Sequence, residues 1–498
     1  MSSVGCAPGD ADSPHEEPLS YLIPCLPEDI WCHIHSLMPM RDAARAACLS
    51  HAFLRSWRCH PNLTLNWTTI LPKEGAEEFA WNIDRILRNH SAIGLKTLEL
   101  NLGGEESTFP YVDSWLQVAA TPGIETLNLL LYKKYNFPCW LLSDGVRNSI
   151  HDLQLDSCVF HPTSELGPLR RLTILDLSSV RITGDELECL LSNSLALEQL
   201  RLYDCKEIIF LKIPCVLQQL SCLIVVGCYS SQVIDCKAPN LSIIDFSGEK
   251  MKLSLGQPSK MKKLNMHYPD MVYYARAELP SIMPNIETLV ITSCSEVINT
   301  PILPTKFLYL KHLTIEIWEL TFCPSHDYFS LVSFLDASPS LETLLLDVPH
   351  KGVNHESVFG GSSSSHLREL PEHQHNCLKI VEITGFSSAK SLVELTCYIV
   401  KNAVSLECLT LDTLGHPEKC FGEANTTCCT LSNDVLKEAS AAVVAIRMYI
   451  EDKVASTAEL AVLGPCTRCH SRGSSCSPKN VIPVDQADNR RVQGIVLV

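Results

Sequence analysis

The sequence predicts an α/β fold: a solenoid of short, stacked parallel strands preceded by a small all-α segment. Three observations carry this. An apolar-x-x-apolar-x-apolar string recurs along most of the 498 residues. Cysteines recur at one fixed offset from it. A compact helix-patterned stretch precedes the first copies.

The strings are Leu95/Leu98/Leu100, Ile124/Leu127/Leu129, Ile150/Leu153/Leu155, Leu172/Leu175/Leu177, Leu197/Leu200/Leu202, Leu220/Leu223/Val225 and Leu241/Ile244/Phe246. Further copies are Met261/Leu264/Met266, Ile286/Leu289/Ile291, Leu310/Leu313/Ile315, Leu341/Leu344/Leu346, Leu378/Val381/Ile383 and Leu406/Leu409/Leu411. Most copies lie about 20 to 30 residues apart, the period of leucine-rich repeats. The x-Leu-x-Leu part alternates and suits a short strand with one buried face, while the leading apolar residue closes the turn before it. One repeat cannot bury that face alone, but stacked neighbours can, so the expected architecture is a curved solenoid or horseshoe. Cys158, Cys205, Cys228 and Cys294 each follow the last apolar position by three residues, where the repeat consensus has Asn or Cys. That position points into the bend, where a small side chain meets backbone groups.

Glu28 and Asp29 suit the positive end of a helix dipole behind Pro27, and Ile30, Ile34 and Leu37 share one helical face. Pro39 stops that helix, Asp42 is the expected cap of a second over Ala43–Cys48, and a third carries Phe53 and Trp57. About 35 residues are too few to bury all these groups well. The unit therefore packs on the solenoid end or offers a face to a partner. Arg41, Arg45, Arg55 and Arg58 are opposed between residues 41 and 60 only by Asp42, which suggests an acidic partner.

Composition narrows the function. A net charge of −16 with no basic block disfavours nucleic-acid binding. No run approaches the ~20 apolar residues of a membrane helix; the best, Ala441–Ile446, is followed by Arg447. Residues 1–20 carry Asp10, Asp12, Glu16 and Glu17 and do not read as a signal peptide. The expected location is therefore cytoplasm or nucleus, with the 24 cysteines as thiols. On that view the sequons at Asn62 and Asn66 are accidental. The expected layout is a disordered tail (1–20), the helical segment (21–62), the array (63–350), an exposed Gly/Ser/His loop (351–376), C-terminal repeats (377–470) and a mobile tail (471–498).

The helical segment resembles the F-box: Leu26-Pro27-Glu28-Asp29-Ile30, Ile34, Leu37-x-Pro39, Asp42-Ala43, Cys48-Leu49-Ser50 and Phe53-x-x-x-Trp57-Arg58 carry the likeness. The whole chain resembles plant F-box proteins with leucine-rich repeats. Its C-terminal part is similar to their FBD-type region, through Lys379-x-Val381-x-Ile383-x-Gly385-Phe386, Leu406-Glu407-x-Leu409-x-Leu411-Asp412 and Cys466-x-x-Cys469-His470. One departure is Leu49-Ser50-His51, where the family often has Val-Ser and a basic residue. The resemblance implies binding to an acidic Skp1-type adaptor and, through it, a cullin-RING ubiquitin ligase. By motif, Leu26, Pro27, Ile30, Ile34, Leu37 and Pro39 would line the contact, with Leu49 and Trp57 completing it. Leu26 and Pro27, ahead of the first helix, are expected at the contact; for Leu49 and Trp57, contact and internal core are equal alternatives.

The target, an unknown protein, is expected on the concave strand face, at the x positions Glu99, Asn128, Gln154, Asp176, Arg201 and Asp245. No catalytic constellation appears: there is no Gly-rich phosphate loop and no Gly-x-Ser-x-Gly elbow. No cofactor or metal is expected, either at His366/His373/His375 or at Cys466/Cys469/His470. The expected function is a non-enzymatic, substrate-recognising adaptor. The alternatives are a repeat scaffold outside any ligase and a small-molecule co-receptor, the latter opposed by the few basic residues in the array.

Overall fold

The computed structural model describes residues 26–465, apart from 71–74, 104–109, 120, 132–133, 164–165, 250–251, 295, 297–298, 319–326, 350–355, 361–365 and 416–430. The Cys466/Cys469/His470 string and both tails lie outside the described residues. The chain forms two compact units, one of residues 1–182 with 193–195 and the other of 183–192 with 196–498.

In the first unit, three short helices, α1 (Glu28–Ser36), α2 (Met40–Ala46) and α3 (His51–Arg58), precede five parallel strands. The strands are β1 (Asn62–Leu65), β2 (Thr97–Asn101), β3 (Thr126–Leu130), β4 (Asp152–Asp156) and β5 (Ile174–Ser178), hydrogen-bonded in chain order. β1 extends the repeat by one strand beyond the strings read from the sequence: Leu63 and Leu65 are buried and pair in register with Leu98 and Leu100.

The helices start where backbone chemistry allows. Pro27 precedes α1, and Ser50 caps α3 by accepting a hydrogen bond from the Phe53 N–H at 3.1 Å. The expected Asp42 cap is not formed. The ring of Pro39 fixes φ at −54° and the helix starts at Met40, which places Asp42 in the first turn beside Arg45 at 3.7 Å. The segment also docks on the sheet. The Thr64 N–H of β1 meets Met40 Sδ at 3.3 Å, and the His60 ring lies against the carbonyls of Asn62 (2.7 Å) and Met38 (3.3 Å). Asn66 has a structural task as well, since its Oδ1 accepts from the N–H groups of Thr68 and Thr69 at the start of the next turn.

In the second unit ten strands form a parallel sheet, again in chain order: β6 (Gln199–Tyr203), β8 (Cys222–Val226), β10 (Ile243–Ser247), β12 (Lys263–His267), β13 (Thr288–Ser293), β14 (His312–Ile317), β15 (Thr343–Asp347), β16 (Ile380–Thr384), β17 (Cys408–Asp412) and β18 (Glu459–Leu463). A second parallel sheet holds β7 (Phe210–Ile213), β9 (Val233–Cys236) and β11 (Lys252–Leu255). Its cause is repeat length. From Leu200 to Leu264 the main strands recur every 20 to 23 residues, which leaves too little chain for a helix and two turns. The return path is instead a strand whose Leu211, Ile213, Ile234 and Cys236 are buried. Where repeats lengthen, helices replace these strands, as at Val332–Ala337 and Lys390–Asn402.

Every residue of the thirteen apolar strings is buried. Each fully buried aliphatic side chain contributes roughly 1.5–3 kcal/mol, so the stacked strings are the core that makes the repeats cohere. The cysteine offset is structural at three of its four positions: Cys158, Cys205 and Cys228 are buried, while Cys294 is only partly so. Burial pushes the Cys158 thiol up to about 12.

A charge ladder also marks register. The residue after each leading apolar position alternates Lys262, Glu287, Lys311, Glu342, Lys379 and Glu407, with ion pairs between Lys262 and Glu287, Lys311 and Glu342 (3.9 Å), and Lys379 and Glu407 (3.9 Å). These pairs are exposed and individually worth little; a slip of one repeat would set like charges together.

Residues 366–376 of the Gly/Ser/His loop are mostly exposed yet tethered. Arg368 donates to both oxygens of Asp327 at 2.7 Å, and its Nε and backbone N–H reach Glu394 at 2.7 and 2.8 Å. His373 and His375 stack at 5.3 Å beside Asp336, and His375 is buried.

Gly385 of the FBD-like string has φ +77°, and a Cβ there would lie 2.0 Å from the Val348 carbonyl oxygen. Gly385→Ala is therefore expected to lower the urea midpoint clearly, by the equivalent of about 2 kcal/mol or more from steric and left-handed strain.

Glu296 is 2% exposed and its Oε1 accepts from the Val272 N–H at 2.6 Å. Burial pushes its carboxyl up to about 7, against the hydrogen bonds from Ser293 and Val272. The folded state thus holds this proton more tightly than the unfolded chain does. Its contribution to stability is intact below the ordinary carboxylate range, falls as pH rises to about 7, and is constant above. The cost at pH 8 is on the order of 3 kcal/mol. Glu296→Gln is expected to be more stable than the parent chain in urea at pH 8, with the gain shrinking toward pH 5.

Candidate partner interfaces

The helical segment has an inner and an outer face. Inside, the Trp31 and Phe53 rings meet edge-on at 4.6 Å, His35 meets Phe53 at 5.2 Å, and Ala43, Ala47 and Ser56 are buried. Outside lie the apolar residues singled out from the sequence. Leu26, Ile30 and Ile34 are 38%, 41% and 36% exposed, and Leu37 and Leu49 are 73% and 72% exposed. Pro27 and Pro39 are exposed too. Trp57 differs: it is partly buried, with its ring 5.7 Å from that of His60. The four arginines are exposed; Arg45 pairs with Asp42, and Arg55 reaches Glu28 at 3.5 Å. The segment therefore shows water several large apolar side chains, with the four arginines and the acidic Glu28, Asp29 and Asp42 exposed on the same three helices and their turns.

The strand faces turned away from the core form the other surface. In the first unit, Glu99, Asn128, Gln154 and Asp176 occupy one register row across β2–β5. Gln154 donates to Asp152 at 3.0 Å, and Glu99 accepts from Asn66 at 3.4 Å. Lys and Arg are absent from all five strands. In the second unit, Arg201 and Asp245 share a row with Ile224 between them. Arg201 donates to Gln199 at 2.7 Å. Burial raises the Asp245 carboxyl above its ordinary range, opposed by its hydrogen bond with Asn265 and the charges of Lys263 and His267.

The sequence reading missed four residues on this face. β14 alternates past its last paired residue, so Thr314, Glu316 and Trp318 point the same way while Ile315 and Ile317 are buried. Trp318 is 56% exposed and its ring meets His267 edge-on at 5.8 Å. Glu316 Oε2 accepts from Thr292 Oγ1 at 3.1 Å. Burial holds His267 below the usual imidazole range against the pull of Glu316 and Asp245. The signal was legible in the period-two pattern, which continues two residues beyond the leucine-type string.

Among the described residues no group of three His, Cys, Asp or Glu side chains is arranged to hold a metal ion, and no helix is long and apolar enough to cross a membrane.

Comparison with known proteins decides the family. The family model described as "At1g61320/AtMIF1, LRR domain" matches residues 86–467, more than three quarters of the chain. The chain belongs to the At1g61320/AtMIF1 LRR-domain family. An F-box domain model matches residues 23–64, over the three helices and β1. Similar proteins of this kind include the FBD-associated F-box protein At1g66310 of Arabidopsis thaliana, 24% identical over 415 residues that cover 78% of this chain and 88% of that protein. The FBD-associated F-box protein At1g61320 of the same plant is 22% identical and covers 69% of this chain and 78% of its own length. Among solved structures, the LRR protein LIC12759 of Leptospira interrogans covers 71% of this chain at 15% identity, with a TM-score of 0.36. An F-box followed by leucine-rich repeats makes this member of the At1g61320/AtMIF1 LRR-domain family an F-box/LRR protein, and the pairing supports an adaptor role in general.

Proposed function

We propose that this chain is the substrate-recognition subunit of a Skp1–cullin–F-box ubiquitin ligase, acting in the cytoplasm or nucleus. The carrying observation is the outer face of α1–α3. A folded monomer rarely leaves clustered Leu and Ile side chains in water without a use for them. Leu26, Ile30, Ile34, Leu37 and Leu49 are five such residues within 24 positions. The same segment exposes Arg41, Arg45, Arg55 and Arg58, which suit an acidic Skp1-type adaptor. The strand faces hold the target protein. The mechanism is positioning: tethering one protein to both ligase and target raises the effective concentration of target lysines near the charged conjugating enzyme. The chain itself contributes no bond-making step.

The direct test is a titration of the full chain with a plant Skp1-type adaptor, repeated at 50 and 500 mM salt. Binding that weakens but persists at high salt is expected from an apolar contact ringed by charge. Absence of binding at both salts would leave the repeats as a scaffold without a ligase.

A further inference from the structure

The face of β12–β14 carries more than generic polarity. Trp318 stands at its edge, with Glu316 two residues before it on the same side of β14 and His267 against its ring. Thr292 holds one oxygen of Glu316, which aligns the carboxylate instead of leaving it to rotate. Val290 and Thr314 form the adjoining row with Asn265, and that row ends on β10 at Asp245, three strands from β14. The cations here are Lys263, which faces Asp245 at the opening of β12, and Arg201 two strands farther along the sheet, beyond β8.

We infer that Trp318 and Glu316 form a recognition site for a cationic side chain, arginine or lysine, on an extended segment of the target protein. An exposed indole attracts a guanidinium or ammonium through its ring quadrupole, and a fixed carboxylate beside it supplies a charge-assisted hydrogen bond. His267 packs edge-on against the Trp318 ring and borders the site on the β12 side. Val290 offers apolar contact to the stem of the bound side chain. The apolar stem and flat cationic head of arginine fit this combination of wall, floor and carboxylate better than a compact cation does.

The inference deepens the target-capture reading above and rests on it. The experiment uses the full chain and a fluorescein-labelled Gly-Arg-Gly-Arg-Gly-Arg-Gly peptide, read by anisotropy in 150 mM salt. The parent chain is expected to bind, Trp318→Ala to weaken binding at least tenfold, and Glu316→Gln at least threefold. Asp434→Asn, an exposed carboxylate on the helix Asn433–Tyr449, is expected to change nothing. No binding by the parent chain overturns the site. So does equal weakening by Asp434→Asn and Glu316→Gln with Trp318→Ala unchanged, which is diffuse attraction to an acidic protein. Should Trp318→Ala fail to fold, the comparison of the two carboxylate variants still decides. Titration of the same variants with the adaptor separates the two readings: lost adaptor binding by the parent chain with peptide binding retained counts against the ligase role alone.

Discussion

Leu37→Asp/Leu49→Asp is expected to abolish adaptor binding, weakening it at least a hundredfold, while leaving thermal unfolding within a degree or two of the parent chain. Both side chains are more than 70% exposed in the free protein, so the fold loses little when they change. Buried in an interface, each would become a carboxylate forced into an apolar contact opposite an acidic partner. A hundredfold loss corresponds to about 2.8 kcal/mol, within the range that a pair of central interface residues carries. Titration calorimetry with the adaptor measures the loss, and circular dichroism melting checks the fold. Trp57→Ala separates differently. Its ring is partly buried against His60, so it is expected to cost stability as well as affinity.

The second large effect concerns stability alone. Arg368→Ala is expected to destabilise the second unit by about 3 kcal/mol or more. The Glu394 side chain is fully buried, and Arg368 supplies its cation. Removing Arg368, itself 48% exposed, strands the buried Glu394 charge, which costs more than the pair itself contributes. Arg368 also lies 4.7 Å over the Phe329 ring, so its stem and head hold the strap of residues 366–376 in place. Urea unfolding of the full chain measures the loss, and Glu394→Gln in the same background is expected to recover part of it. That recovery identifies the stranded carboxylate, instead of lost packing, as the cause.

These two cases show which parts of the protein were legible in its sequence. The main strands were, because burial of one face writes itself as period-two leucines with a leading residue, and each residue of the thirteen strings is buried. The helical segment was only partly legible: Leu37 was expected at the surface and is exposed, whereas the sequence left Leu49 open between contact and core, and the structure exposes it. Asp42 misled because a local capping preference competes with Pro39, whose fixed φ starts the helix three residues earlier. The strands β7, β9 and β11 were hidden, since Leu211 and Ile213 form too short a run to separate from a turn without knowing the repeat length. The Arg368–Glu394 pair joins residues 26 apart, and no local pattern marks it. Trp318 fell outside the repeat string although the alternation that places it was present.

Amide hydrogen exchange of the full chain with and without a Skp1-type adaptor tests the central claim most directly. The account predicts new protection over residues 26–58, confined to α1–α3 and the turns between them, with the strands from β2 to β17 unchanged. Protection on the strand faces, or none anywhere at saturating adaptor, would contradict it.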